Sequence, residues 1–307
     1  MWRASGLQVS VSTRRRMALA RLASGSFLAG AVVLLAGSLW VGGELAAPAP
    51  AAIGPPPSDL PAAEVRIPSP SGSTLSGWFV PGSDKRGVIL LFHPYRDNRL
   101  AMLDRARFLR RAGYSILLVD FQAHGESPGE HITFGRLESR DVQAAVEHVL
   151  RRRPGEPIGA IGVSLGGAAL ALAGPLGIDA AVLEAVYPTI EEAVENRIRR
   201  RLGPLASALT PLLLVQLGPR LGFSPRELRP IDGVHDLRCP LLVVQGSEDG
   251  HTTLDEARRL FAAAAEPKAL WAVEGAGHVD LHRFQPRAYE ERILGFFRQH
   301  LRTKGKP

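Results

Sequence analysis

A single cysteine, Cys239, stands in 307 residues. That excludes an intrachain disulfide and any zinc site built on cysteine ligands. No cluster of His, Cys, Asp or Glu has the spacing of a metal site, so the chain is expected to need neither metal nor cofactor. A basic stripe is missing too. The formal net charge is +7, but residues 1–45 hold Arg3, Arg14, Arg15, Arg16 and Arg21 against Glu44, a net of +4. The rest of the chain carries +3, in short runs with no aromatic or helix-in-groove chemistry beside them, so nucleic acid is not an expected partner. Apolar residues make up 45% of the chain and charged residues 22%. Those proportions exclude a disordered chain, a fibrous repeat and a polytopic membrane protein.

Only one long uncharged run occurs, Leu22 to Gly43, with its most apolar part at Phe27–Val41. Roughly 20 apolar residues can span a bilayer, whereas an apolar core of about 7–15 residues is signal-peptide length. Arginines precede the run and none comes closely after it, the bias that keeps an N-terminus in the cytoplasm and sends the downstream chain to the exported side. The cleavage-like sites Ala47-Pro48-Ala49 and Ala49-Pro50-Ala51 are interrupted by proline. Residues 1–45 therefore read as a membrane anchor, with a cleaved signal and a secreted product as the alternative. The catalytic part would lie outside the cytoplasm, periplasmic or extracellular. Residues 46–61 contain six prolines, a composition that favours extended polyproline geometry and reads as a semi-rigid linker. A folded domain is then expected over residues 62–302.

Within it, strands and helices alternate. Ala63–Pro68 and Thr74–Val80 flank the turn Ser69-Pro70-Ser71-Gly72 as a hairpin. Short apolar runs at 87–92, 115–119, 158–163, 180–184, 241–245 and 270–273 predict strands buried on both faces. Helical spacing is expected over 98–113, 136–153, 164–174 and 286–301. This rhythm implies an α/β fold with a mostly parallel sheet covered by helices on both faces. Residues 187–236 break it, without a strand and cut by Pro204, Pro211, Pro219 and Pro225. An insertion of that length reads as a small helical lid over an active site.

The chemistry lies where strands end. Gly162-Val163-Ser164-Leu165-Gly166 fits G-x-S-x-G between a predicted strand and a predicted helix, the context in which a serine hydroxyl stands clear on a sharp turn. A serine nucleophile needs a base, and the base needs an orienting carboxylate. His278, in Gly275-Ala276-Gly277-His278, comes after the last predicted strand, and Asp249 after the one before it. Glu184, at another strand end, is the rival acid, and Glu248 fits the pattern less well. Two backbone N–H groups would form the oxyanion hole. One belongs to Leu165 and the second to Tyr95 in His93-Pro94-Tyr95-Arg96, because Pro94 has no N–H. His93 and His124 read as turn-fixing, Asp120 as bonding local backbone, and His251 and His282 as surface positions.

The ordered set His93-Pro94-Tyr95, Asp120-x-x-x-His124-Gly125-x-Ser127, Gly162-x-Ser164-x-Gly166, Asp249 and Gly277-His278 resembles the α/β-hydrolase superfamily. Within it the likeness is to the serine aminopeptidase and acylhydrolase-like branch, whose members often carry a membrane anchor. The resemblance spans residues 62–302. It implies an eight-stranded sheet, a Ser-His-Asp triad of Ser164, His278 and Asp249, no cofactor, and a small-molecule or lipid-like acyl substrate. The activity implied is ester or thioester hydrolysis through an acyl-enzyme. The alternatives are a peptidase on the same triad, an acyltransferase and a non-catalytic anchored binding module. Two positions depart from the family pattern. His93-Pro94 stands where His-Gly is usual, and Gly250-His251-Thr252-Thr253 comes after Asp249 where a proline is common.

Overall fold

A computed structural model describes residues 11–83 and 86–301. Arg3 and residue 302, which belong to the expected anchor and domain, lie outside the described residues. The chain divides into two compact units, Met1–Leu45 and Ala46–Pro307.

The first unit is helix α1, Val11–Ala46. Its stretch Leu19–Ala46 is long and apolar enough to cross a membrane, with a mean hydropathy of 1.9. Leu28, Val32, Val33, Leu35 and Trp40 are each more than half exposed. A helix apolar all round finds its partners in lipid or inside a protein, not in water.

The second unit is built on eight strands: β1 Ala63–Pro68, β2 Thr74–Val80, β3 Val88–Phe92, β4 Ser115–Val119, β5 Ile158–Val163, β6 Ala180–Glu184, β7 Leu241–Gly246 and β8 Lys268–Val273. Their order across the sheet is β1-β2-β4-β3-β5-β6-β7-β8. The β1–β2 hairpin joins β4 antiparallel, and all other pairings are parallel. Alternation along the strands sends successive residues to opposite faces. Leu90 and Phe92 of β3 enter a core shared with α3 (Glu138–Arg152) and α4 (Leu165–Leu172). Ile89 and Leu91 enter one shared with α2 (Leu103–Arg111) and the closing helix Pro286–His300. The strands are as apolar as they are because both faces are covered.

The expected helix at 98–113 opens instead as a 3-10 turn, Arg99–Met102, capped by the Asn98 side chain on Leu100 N–H. Between β6 and β7 come α5 Ile190–Leu202, α6 Ala206–Leu214 and α7 Leu217–Leu221. Helix α8, Leu254–Ala263, is capped by the Thr253–Glu256 box.

Residues 46–61 do not stand off as a spacer. Ala46 and Leu60 are buried. Ala49–Pro50 pairs with His124–Gly125 as a two-residue parallel ladder. Ala49 N–H donates to Ala123 O at 2.8 Å, and Ile132 N–H donates to Ala46 O at 2.9 Å. Proline lacks a donor, but the residues between prolines keep theirs, and those donors dock the segment.

Candidate active site

Ser164 joins β5 to α4 with φ 50° and ψ −110°. A non-glycine residue at positive φ is strained, and the turn survives because its surroundings are packed around it. A Cβ on Gly166 would meet Phe92 O at 2.4 Å and His93 O at 2.9 Å. A Cβ on Gly162 would meet the Gly166 backbone at 2.6 Å. Both glycines are thus required by close approach, which lets the start of α4 sit against the end of β3. Ser164 N–H donates to Glu184 O at 2.8 Å, tying the turn to β6. The Leu165 N–H opens α4, among the first-turn donors that have no acceptor within the helix.

Asp249 and His278 meet beyond β7 and β8. His278 Nδ1 donates to Asp249 Oδ2 at 2.7 Å. The same oxygen accepts from Gln245 Nε2 at 3.0 Å. Oδ1 accepts from the His251 and Thr252 N–H groups at 2.7 and 3.0 Å. Burial, Asp249 being 4% exposed, would raise its pKa. The His278 hydrogen bond and charge, with the two loop amides, outweigh it and hold the carboxyl below its ordinary value. An ionised acceptor on Nδ1 fixes the proton there and leaves Nε2 as the basic nitrogen. The sequence after Asp249, which lacks the family's proline, supplies the two amides that grip this carboxylate.

The loop after β3 is set by two buried histidines. Phe121 N–H donates to His93 Nε2 at 3.1 Å, so Nδ1 carries the proton and donates to Pro94 O at 2.8 Å. Burial, reinforced by neighbouring His124, pushes His93 down to about 3. Arg96 N–H donates to His124 Nε2 at 3.3 Å, repeating the device one turn on. Tyr95 stacks on Phe134, with centroids 6.0 Å apart, and packs on the small cluster that contains Leu165.

Other expected positions fall elsewhere. The Glu184 side chain is fully buried and held by Arg105 Nη2 at 2.7 Å and by the Tyr289 hydroxyl, on the sheet face away from α4. Glu248 is exposed. Asp120 accepts from the Arg99 and Glu126 N–H groups and from the Arg99 guanidinium. Two histidines differ from expectation. His282 is buried, against Phe108 and Tyr289. His251 is half-buried, its ring 4.9 Å from that of His278. The sequence reading misses the support that Gln245, His251 and Thr252 give Asp249. The Asp-x-His-Thr run of an Asx turn is the signal that could have found it.

Ser164, Asp249 and His278 thus lie on loops at the carboxyl ends of parallel strands β5, β7 and β8, the edge where open α/β sheets bind ligands. Residues 83–232 match the family described as serine aminopeptidase, S33. An uncharacterized protein of Bacillus subtilis, YqkD, is 25% identical over 236 residues, 75% of this chain and 77% of its own. An uncharacterized protein of Mycobacterium tuberculosis is 28% identical over 252 residues, 79% and 83% of the two chains. Among solved structures, the Pyrococcus furiosus esterase Pf2001 superposes with a TM-score of 0.69 at 21% identity, covering 84% of this chain and 99% of that one.

Proposed function

We propose that this chain, which has the α/β-hydrolase fold, is a serine hydrolase that cleaves acyl esters or thioesters. The observation that carries the reading is the buried, fully satisfied Asp249 bonded to His278 Nδ1, two strands along from a serine on a strained strand-to-helix turn. The S33 family match and the esterase superposition support the same class.

In this mechanism His278 Nε2 takes the Ser164 proton as Oγ bonds the carbonyl carbon. The carbonyl electron pair moves onto oxygen, where the Leu165 and Tyr95 N–H groups stabilise it. The oxyanion collapses, the bond to the alcohol or thiol breaks, and the leaving group takes the proton from Nε2. Water then repeats the cycle on the acyl-enzyme, releasing the acid and restoring Ser164. Asp249 keeps His278 in the tautomer both halves require.

Helix α1 serves in this reading as the membrane anchor, with Arg14, Arg15 and Arg16 on the cytoplasmic side and the hydrolase on the exported side. The insertion of α5, α6 and α7 acts as the lid, and its exposed Leu202, Leu205 and Val215 suit an acyl substrate, small or lipid-like. The family's name keeps a peptidase in view. Turnover of p-nitrophenyl acyl esters against aminoacyl p-nitroanilides decides between them. Esters are expected to be cleaved with aminoacyl anilides inert, and the reverse would sink the esterase reading.

A further inference from the structure

Helix α5 leaves the sheet beside the site and buries one stripe. Ile190 and Ala193 are buried and Val194 packs on the same core. At the next inward position, one turn after Ala193, stands Arg197, half-buried. Its Nη1 donates to Ala193 O at 2.8 Å. No carboxylate of the described residues lies within ion-pair distance of it. The helix's own acids are engaged elsewhere, Glu192 with Arg259 and Glu195 with Arg199. The two fully buried arginines, by contrast, are each held by two carboxylates: Arg99 by Asp120 and Glu126, Arg105 by Glu184 and Asp280. A guanidinium drawn out of water without a counter-charge costs free energy that an anion would offset.

The surroundings say where that anion would sit. Asn196 donates to His251 O at 3.3 Å and to Glu256 Oε1 at 2.7 Å, fastening α5 to the loop that carries Asp249. The Arg200 guanidinium lies over the same loop, so close that a Cβ on Gly250 would meet its Nη1 at 2.4 Å. Arg200 also has no ion pair among the described residues. Burial raises the Tyr95 and Tyr187 hydroxyls, and the charge of Arg197 opposes it at both. Burial and His278 lower His251, and Arg197 and Arg200 add to that effect. One guanidinium therefore faces the Tyr95 loop beside Leu165 and the His251 ring beside His278.

We propose that Arg197, backed by Arg200, is an anion subsite over Ser164 and His278, so that the preferred substrate is an ester bearing a carboxylate or phosphate. The inference rests on the serine-hydrolase reading and adds the substrate's charge to it. Guanidinium is suited to the role because its planar fork takes two oxygens of one anion.

The test compares kcat/KM of the full chain in detergent on two matched pairs of substrates. p-Nitrophenyl hemiglutarate against p-nitrophenyl butyrate puts the charge on the acyl side. Butyryl glycerol 3-phosphate against butyryl glycerol puts it on the alcohol side. The wild type is expected to favour the anionic member of at least one pair, and the favoured pair identifies the source. Arg197→Gln should shrink that ratio about tenfold to a hundredfold, through KM, the range expected for a hydrogen bond to a charged group. Arg197→Lys, which keeps the charge, should restore part of it, and Arg200→Gln should shrink it less. A wild-type ratio at or below one in both pairs overturns the proposal. So does a ratio that Arg197→Gln leaves unchanged. In either case turnover of the neutral esters leaves the serine-hydrolase reading standing. If no ester is hydrolysed and a fluorophosphonate does not label Ser164, that reading falls and takes the subsite with it.

Discussion

Replacing Arg105 with methionine should be among the most damaging single changes outside the catalytic groups. Arg105 is 2% exposed and Glu184 is fully buried. Arg105 Nη2 meets Glu184 Oε2 at 2.7 Å, its Nε meets the Tyr289 hydroxyl at 3.0 Å, and its Nη1 meets Asp280 Oδ2 at 3.2 Å. Methionine fills most of the volume but leaves Glu184 as a buried carboxylate with one hydroxyl donor. Breaking a buried pair from one side costs about 3–5 kcal/mol, against a domain stability of about 5–15 kcal/mol. The strain should ease in Arg105→Met combined with Glu184→Gln, which removes the stranded charge and recovers half or more of the loss. Urea unfolding of the two variants and the wild type, tracked by far-UV circular dichroism, gives the free energies. A single-variant loss below about 1 kcal/mol, or a double variant no better than the single, would refute the reasoning that the pair's value lies in mutual neutralisation. The same arginine holds Asp280, whose side chain caps the turn Leu281–Phe284 two residues beyond His278.

Asp249→Asn replaces an acceptor of His278 Nδ1 with an amide and drives the imidazole to the tautomer protonated on Nε2. The rate of ester hydrolysis should fall by roughly 10³–10⁴-fold, and stopped assays of kcat/KM check it. Gly166→Ala forces a methyl to 2.4 Å from Phe92 O, so α4 must shift; loss of fluorophosphonate labelling in a variant that still folds is the expected readout. Asp141 supplies a pH signature. Burial pushes its carboxyl up to about 7, although Ser69 Oγ and Gln122 N–H donate to it. The folded chain then holds a proton that the unfolded chain has lost above pH 4, so stability falls as pH rises from about 4 to about 7. At roughly 1.4 kcal/mol per pKa unit the fall amounts to a few kcal/mol, and unfolding at pH 5 and pH 7.5 should show Asp141→Asn abolishing it.

Much of the fold is legible locally. β4, β5 and β6 coincide with apolar runs that a glycine, a proline or a charged residue brackets, and their bounds match residue for residue. G-x-S-x-G is equally local, because the glycines it demands are explained by contacts within a few residues of the turn or with the adjacent strand. What the sequence hides is long-range. Six prolines in residues 46–61 describe the chain's stiffness but not the Ala123 and Gly125 carbonyls, some 74 residues on, that receive its N–H groups. His282 reads as polar until Phe108 and Tyr289 close over it. Arg197 reads as one more arginine in a basic helix, and only the packing of α5 distinguishes it from Arg199, which has Glu195. Helix α8 is the exception, a local element that periodicity passes over although the Thr253–Glu256 capping box announces it.

The proposed chemistry stands on Ser164 being an activated nucleophile. The most direct measurement is intact-mass and peptide mass spectrometry of the full chain after reaction with a fluorophosphonate, beside Ser164→Ala and His278→Ala. One phosphonyl adduct, located on Ser164, absent from the Ser164→Ala variant and strongly slowed without His278, is the predicted result. A folded wild-type chain that takes up no adduct, or takes it up equally at Ser164→Ala, would contradict it.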